Sequence, residues 1–282
     1  MNDLTIAQAL KRSELLSEIS DTAELDVQLL LLEVLDKPSS YLFTWPDRVL
    51  AAEQLQRFES LLTRRIAGEP IAFILGYQHF WTLKLAVAKD TLIPRPDTEL
   101  LVEQALQLLS NKKCRVADLG TGTGAVALAL ASERSQWEIV ACDYVACAAA
   151  LAERNRQSLN ISNVEVLEGS WFEPLSGKFD LIVSNPPYID KQDVHLSEGD
   201  VRFEPLTALV ADDNGLQDIK HIIETAPRYL VVGGWLLLEH GFEQAKSVSE
   251  WFVINNFSHV LTVKDLNNND RVTYAQWQMP EL

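Results

Sequence analysis

Asn185-Pro186-Pro187-Tyr188 is the stretch whose residue types point most directly at chemistry. The apolar run before it, residues 179–184, reads as a buried strand that ends at the proline pair, because prolines cannot donate to a ladder. A residue preceding proline is pushed out of the helical region, so Asn185 is expected to sit extended at the strand tip. An amide side chain, a proline carbonyl and an aromatic ring are thereby fixed on one rigid turn. The Asn185 amide oxygen and the Pro186 carbonyl can each accept a hydrogen bond from a planar NH2 group, and the Tyr188 ring can lie against the face of that group. Such a turn suits holding an amide or amino nitrogen while that nitrogen attacks or is attacked.

A second cluster lies upstream. Asp118-Leu119-Gly120-Thr121-Gly122-Thr123-Gly124 closes an apolar strand and opens a helix. Glycines let backbone approach a ligand closely, and a helix N-terminus offers unpaired N–H donors. The GxGxG spacing differs from the GxGxxG of dinucleotide sites, and a P-loop would need Gly-Lys-Ser/Thr. A tight strand-to-helix turn with no ligand would carry the same glycines. Asp143 follows Gly124 by 19 residues, at the end of the next strand, where a carboxylate can accept both hydroxyls of a ribose. It could equally cap the helix that follows. Trp171-Phe172 follows the third strand: Trp171 reads as a pocket wall that can flank an adenine, Phe172 as core.

The elements that must position these groups follow from periodicity. Beyond Arg115, strands are expected at 115–119, 138–142, 164–167, 179–184 and 232–238, and helices at 124–133, 145–158 and 216–229. Alternation of this kind implies a mostly parallel sheet covered on both faces, with ligands outside the carboxyl ends of its strands. A helix near 242–255 and strands at 257–264 and 271–278, joined by Asn267-Asn268-Asn269-Asp270, complete the chain. Residues 1–75 read as helical, with helix starts at Thr5-x-x-Gln8 and Asp21-x-x-Glu24. A helix over 22–36 is expected to bury Leu25, Leu29, Leu32, Val34 and Leu35, and one over 50–67 to bury Leu55, Phe58, Leu61, Leu62 and Ile66. Gly68 stops the latter and Pro70 should block a restart. Residues 76–92 read as a β-hairpin linker. In Ile93-Pro94-Arg95-Pro96-Asp97-Thr98-Glu99 the prolines should prevent regular structure, with Asp97 or Thr98 capping a helix over 98–109. The domains expected are therefore 1–75, 76–92 and 93–282.

Composition narrows the partners. With 24 Lys and Arg against 40 Asp and Glu, the net charge of −16 repels nucleic acid and argues against it as the main partner. The first 75 residues hold 7 basic and 12 acidic side chains, a net of −5, so they form no basic arm. An acidic surface also serves plain solubility. No apolar run reaches membrane-spanning length, and no secretory signal is evident. Cys114, Cys142 and Cys147 read as small core residues in a reducing compartment, without zinc-ligand spacing. A cytoplasmic monomer that binds no metal is expected.

Taken together, a nucleoside cofactor on strands one to three would meet the Asn185–Tyr188 clamp on strand four. This arrangement resembles a class I S-adenosylmethionine-dependent methyltransferase. Arg64-Arg65-x-x-Gly68-Glu69-Pro70, the 93–99 segment, Val183–Ile189, Arg202-Phe203-Glu204-Pro205 and Leu238-Glu239-His240-Gly241 resemble the HemK/PrmC family of release-factor glutamine methyltransferases. The resemblance implies a Rossmann-like α/β domain with a seven-strand, mostly parallel sheet, preceded by a small helical bundle for substrate docking and a β-hairpin linker. It also implies S-adenosylmethionine as methyl donor, S-adenosylhomocysteine as product, and class-1 peptide-chain release factors as substrates, methylated on the glutamine of a Gly-Gly-Gln loop. By the same resemblance, Gly120, Thr121, Gly122, Thr123 and Gly124 would hold the methionine part, Asp143 the ribose and Trp171 the adenine. Asn185 would touch cofactor and substrate, and Pro186, Pro187 and Tyr188 would complete the glutamine pocket. Two positions depart from the family pattern: Ser170 stands where relatives often have Asp, and Asn269 where they often have Gly. His195 and Asp190 read as solvent-facing loop residues. The rival readings are a DNA adenine N6-methyltransferase, disfavoured by charge and the lack of a basic recognition segment, a ribosomal-protein glutamine methyltransferase, from which the Arg-Pro-Asp-Thr-Glu wording differs, and a non-catalytic module that binds a translation factor.

Overall fold

The computed structural model describes residues 4–279. These form two compact units, Met1–Tyr77 with Val194–Phe203, and Gln78–Asp193 with Glu204–Leu282.

The first unit holds helices α1 (Ile6–Leu10), α2 (Ala23–Leu35), α3 (Ser40–Thr44), α4 (Ala52–Ile66) and α5 (Ile71–Leu75). Thr5 and Gln8 form the expected capping box, with bonds of 3.2 and 2.9 Å. Asp21 does not cap α2: the N-cap is Thr22, whose hydroxyl donates to Asp26 at 3.1 Å. The buried face of α2 is also rotated from expectation. Val34 and Leu35 are buried as expected, but so are Asp26, Val27, Leu30 and Leu31, whereas Leu29 and Leu32 are half-buried and Leu25 is 50% exposed. A helix apolar nearly all round carries weak periodicity, and here an ion pair decides its face. Arg65 of α4, also buried, donates to Asp26 at 2.7 Å and to Asp200 at 2.8 Å. Arg65 takes an inward position on α4, which leaves Ile66 41% exposed. Pro70 does not block a restart; it is the N-cap of α5, where the missing N–H costs nothing.

From Gln78 on, the second unit opens with the hairpin of β1 (Tyr77–Phe80) and β2 (Leu83–Ala86). Pro96 starts a 3-10 turn, Pro96–Thr98, which leads into α6 (Glu99–Leu108), so the prolines shape this segment without excluding regular structure. Neither Asp97 nor Thr98 supplies a side-chain cap to α6. Then come β3 (Arg115–Leu119), α7 (Ala125–Glu133), β4 (Glu138–Asp143), α8 (Ala146–Ser158), β5 (Val164–Glu168), β6 (Phe179–Ser184), a kinked turn α9 (Asp212–Gly215), α10 (Gln217–Thr225), β7 (Leu230–Glu239), α11 (Ala245–Ile254), β8 (Phe257–Lys264) and β9 (Asp270–Trp277). The seven-strand sheet has the order β5-β4-β3-β6-β7-β9-β8. β3 to β7 pair in parallel, and β9 runs antiparallel to both neighbours. Alternate residues of β3 feed opposite faces: Val116 packs with α6 and α7, Ala117 and Leu119 with α10 and α11. The order places β3 and β6 side by side, with Leu119 paired to Ser184, so the glycine loop and Asn185 leave the same sheet edge. The Ser184 hydroxyl donates to the Leu119 carbonyl at 2.7 Å and locks that register.

One smaller expectation changes, and the expected β8–β9 hairpin forms. Cys147 is exposed, so only Cys142 is a fully buried cysteine. The β8–β9 turn is organised by Asp265, which accepts from the N–H groups of Asn267 and Asn269 at 2.9 and 3.0 Å. No helix among the described residues is long and apolar enough to cross a membrane.

Candidate active site

At the carboxyl edge of β3, β4 and β6 lies a cavity of about 560 Å³. It is lined by Gly120, Thr121, Gly122, Thr123, Asp143, Trp171, Asn185 and Pro187 among the residues singled out above. Gly124, Pro186 and Tyr188 do not line it. His195 is exposed and falls in the first unit, and Asp190 is half-buried with its Oδ1 accepting from the Gln192 N–H at 2.7 Å.

The glycine loop owes its shape to two carboxylates. Asp118 is buried at the end of β3, where its Oδ2 accepts from the Thr121 hydroxyl at 2.6 Å and the Ala127 N–H at 3.1 Å. Burial pushes its pKa up to about 7 against those two donors. Asp143, at the end of β4, accepts from Gly122 N–H at 2.9 Å and from Val145 N–H at 2.9 Å, one on each oxygen. It therefore both starts the approach to α8 and braces the loop. Burial raises its pKa, opposed by those N–H bonds. Each oxygen keeps a further lone pair for a ligand hydroxyl. Gly124, left-handed at φ +84°, lets α7 begin close against Leu128 and Ala152, so its requirement is packing.

A nucleoside with a short cationic arm fits this donor set. A Cβ at Gly122 would stand in open space, and one at Gly120 would lie 3.4 Å from the Trp171 ring, so loop backbone and indole form one wall. Trp171 holds a left-handed φ of +47°, and its carbonyl accepts from Cys142 Sγ at 3.1 Å, which anchors the wall to β4. Non-glycine residues occupy that region at a cost and concentrate at functional sites. Phe172 is core, stacked on Tyr229 at 4.8 Å.

Opposite stands Asn185, whose Nδ2 donates to Thr98 Oγ1 at 3.1 Å. With the amide hydrogens turned toward Thr98, the atom left to accept is Oδ1. Tyr188 lies behind the turn: its hydroxyl donates to Glu239 Oε1 at 3.1 Å and its carbonyl accepts from Gln244 Nε2 at 3.0 Å. Burial foremost, with Glu239 beside it, raises its pKa. Arg95 and Glu204 pair at 2.7 Å. Thr98, Asp118 and Glu239 were not singled out as site residues from sequence. A charge closing an apolar strand at the ligand edge, as in Val116-Ala117-Asp118 and Leu236-Leu237-Leu238-Glu239, was the available signal for the last two.

Comparison with known proteins identifies the family. Residues 8–76 match the PrmC N-terminal domain family and residues 96–201 the methyltransferase small domain family. Among solved structures, a methyltransferase from Pyrococcus furiosus superposes with a TM-score of 0.55 at 18% identity, covering 78% of this chain and 100% of that one. The hMettl16 catalytic domain reaches 0.58 at 16% identity, covering 82% of this chain and 83% of its own. Both share the fold expected for a class I methyltransferase. Release factor glutamine methyltransferases are far closer in sequence. That of Aliivibrio fischeri is 54% identical across 97% of this chain and 98% of its own. That of Pseudomonas aeruginosa is 54% identical across 97% and 99%, and that of Escherichia coli 51% identical across 92% and 94%. With identity at this level over nearly the whole length of both chains, this chain belongs to the release factor glutamine methyltransferase family.

Proposed function

We propose that the protein methylates the side-chain amide nitrogen of the glutamine in the Gly-Gly-Gln loop of class-1 peptide-chain release factors, using S-adenosylmethionine. The observation that carries this reading is the Asn185 amide at the cavity wall, its nitrogen committed to Thr98 and its oxygen left to accept.

The cofactor supplies an electrophilic methyl group on a sulfonium. This chain's residues do the rest. Asp143 takes the ribose hydroxyls, the Trp171 ring covers the adenine, and the loop from Gly120 to Gly124 receives the methionine arm. Asp118 keeps that loop in shape through its bonds to Thr121 and Ala127. The Asn185 Oδ1 and the Pro186 carbonyl accept the two N–H bonds of the substrate amide and aim its nitrogen into the cavity. An amide nitrogen is a weak nucleophile, and positive charge grows on it during transfer. Acceptors fixed beforehand stabilise that charge without reorganising. Holding both partners in place can lower the barrier by about 7–11 kcal/mol. Pro187 shapes the cavity wall, and Tyr188 supports the turn from behind. The helical unit, 1–75, docks the release factor, and 76–92 links it to the methyltransferase domain, 93–282. The net charge of −16 supports a protein substrate over nucleic acid. The protein acts in the cytoplasm as a monomer.

The test is methyl-label transfer to a purified class-1 release factor, with the loop glutamine intact or replaced, and to DNA. Label on the intact factor alone is expected; label on DNA, or on the glutamine-replaced factor, overturns the reading.

Two variants test the assignments. Asp143→Ala removes a charged acceptor worth about 1.5–3 kcal/mol, so S-adenosylhomocysteine should bind roughly 10- to 100-fold more weakly by calorimetry. Tyr188→Ala should lower kcat on the release factor while cofactor affinity holds. An unchanged rate would remove Tyr188 from the site.

A further inference from the structure

Besides Asp118 and Asp143, the glycine loop has a third brace, and it is neutral. Asn155, on α8, is 1% exposed. Its Nδ2 donates to the Thr123 carbonyl at 2.9 Å and to the Ala86 carbonyl at 3.0 Å. Its Oδ1 accepts from the Ala86 N–H at 2.8 Å. Both amide hydrogens are thereby spent. The backbone partners also dictate which way the amide faces: two are carbonyls, which only accept, and the third is an N–H, which only donates. One buried side chain therefore joins the end of β2 to the glycine loop, two stretches far apart in the chain.

Each stretch builds a wall of the cavity. Thr123 lines it and is 2% exposed. The Thr123 carbonyl shares a peptide unit with the Gly124 N–H, which closes the turn on the Thr121 carbonyl at 2.8 Å. The C=O and N–H of a trans peptide point in opposite directions, so a bond from Asn155 on one side sets the plane that closes the turn on the other. Ala152, on the same face of α8, underlies the loop: a Cβ at Gly124 would lie 3.3 Å from its methyl group. On the other stretch, Ala86 ends β2, and a tight turn follows in which the Thr91 N–H and hydroxyl both bond to the Ala88 carbonyl, at 3.2 and 3.1 Å. Asp90, Thr91 and Leu92 then line the cavity. The place where Ala86 is held thus decides where this wall begins. The hairpin has a separate tie at its tip, where the Trp81 N–H donates to Glu99 at 2.7 Å and its indole N–H to Glu133 at 2.8 Å.

We propose that Asn155 is a positioning residue of the cofactor site: it holds β2 of the linker hairpin in register with the glycine loop, so that cofactor binding and the seating of the hairpin strengthen each other. A cofactor on the loop holds the Thr123 peptide in the plane that Asn155 bonds. Asn155, steadied on that side, grips both backbone groups of Ala86. Coupling through a shared group is reciprocal, so a hairpin that is well seated returns the same free energy to cofactor binding. The chain passes from residues 1–75 into the second unit through this hairpin, and the cofactor-loaded enzyme has the firmer linker.

The coupling rests on the proposed seat of the cofactor at the glycine loop, and Asp143→Ala tells the two apart. Wild-type S-adenosylhomocysteine affinity in Asp143→Ala would remove the seat itself; a weakened Asp143→Ala beside an unchanged Asn155→Ala would remove only the coupling. Asn155→Ala should bind S-adenosylhomocysteine about tenfold more weakly by calorimetry, the scale of one net hydrogen bond. Its kcat at saturating cofactor should stay within about twofold, so that the loss appears in the cofactor KM. In wild type, S-adenosylhomocysteine should slow amide exchange across Leu83–Ala86 by about tenfold, and in Asn155→Ala it should not. A merely structural Asn155 would lower the thermal midpoint and move neither quantity. Ala86→Pro removes the N–H that Oδ1 accepts and changes no residue of α8 or the loop. It should weaken S-adenosylhomocysteine by about threefold in wild type and add nothing in the Asn155→Ala background, because both changes cut the same link. This variant carries the test if Asn155→Ala does not fold. Trp81→Phe, which cuts the indole bond at the tip, should leave the Kd unchanged. Wild-type Kd in Asn155→Ala or in Ala86→Pro overturns the proposal. So do β2 amides that ignore S-adenosylhomocysteine, additive losses in the double variant, or a Trp81→Phe enzyme weakened as much as Ala86→Pro.

Discussion

An Asn185→Ala enzyme is expected to lose methyl transfer by about 100- to 1,000-fold while binding S-adenosylhomocysteine within about threefold of wild type. The size follows from what the side chain does. Removing one preorganised hydrogen-bonding group aimed at developing transition-state charge costs about 100- to 1,000-fold in kcat. In the proposed mechanism the charge develops on the substrate nitrogen, and Asn185 Oδ1 is one of two acceptors that meet it. The proposed cofactor site lies elsewhere, in a loop that Asp118 and Asp143 brace through hydrogen bonds of 2.6 to 3.1 Å, none of which involves Asn185. The split between kcat and cofactor Kd is therefore the diagnostic quantity, read by single-turnover label transfer and by calorimetry on the same preparation. Truncation also leaves the Thr98 hydroxyl without its 3.1 Å donor, but that bond joins side chains and supports no backbone ladder. The thermal midpoint should move little. An Asn185→Ala enzyme with full activity would sink the clamp mechanism; equal losses in rate and cofactor affinity would mean that Asn185 serves the cofactor instead.

The site was legible in the sequence to the extent that local chemistry determined it. The Asn185 turn could be read because two prolines leave the backbone few alternatives, and the glycine loop because spacing between a strand and a helix constrains it. Strands β3 to β7 announced themselves as apolar runs. What escaped was set by partners distant in the chain. Thr98 looked like a helix cap, yet its hydroxyl answers Asn185, 87 residues later. Asp26 and Arg65, 39 residues apart, take inward positions on α2 and α4, so that Leu25 and Ile66 face outward while Phe58, Leu62, Val34 and Leu35 are buried as periodicity predicts. Glu239 entered only as one letter of a resemblance, because nothing near it in sequence reveals that Tyr188 donates to it from the turn beyond β6. Pairwise polar contacts between distant residues leave no period and no spacing, so burial patterns misplace them.

Gly215→Ala is expected to be as damaging as the loss of Asn185, by a route that touches no ligand. Gly215 ends the kinked turn α9, where Asp213 and Asn214 are already left-handed at φ 58° and 55° and Gly215 follows at φ +78°. A Cβ at Gly215 would overlap the carbonyl of Tyr188, a backbone group, and stand 2.8 Å from Gln244 Nε2. Gln244 ties both segments together, donating to the Tyr188 carbonyl at 3.0 Å and to the Asn214 carbonyl at 3.1 Å. Beyond Tyr188 the chain is pinned again, by Ile189 N–H to Leu209 at 2.9 Å and Ala211 N–H to Ile189 at 3.1 Å. The turn therefore cannot give way on its exit side, and the overlap must be relieved by moving Tyr188 and the prolines before it. A displacement of about 1 Å in a positioning group costs about 100-fold in rate, so kcat should fall by at least that much with cofactor Kd nearly unchanged. The left-handed backbone adds about 1–2 kcal/mol of destabilisation for alanine. Gly76→Ala separates the two effects, since Gly76 is left-handed at φ +80° but a Cβ there meets nothing within 4 Å. It should lower the thermal midpoint and spare kcat. If Gly215→Ala and Gly76→Ala behave alike, strain alone is responsible, and the close approach of α9 to the Asn185–Tyr188 turn has no part in catalysis.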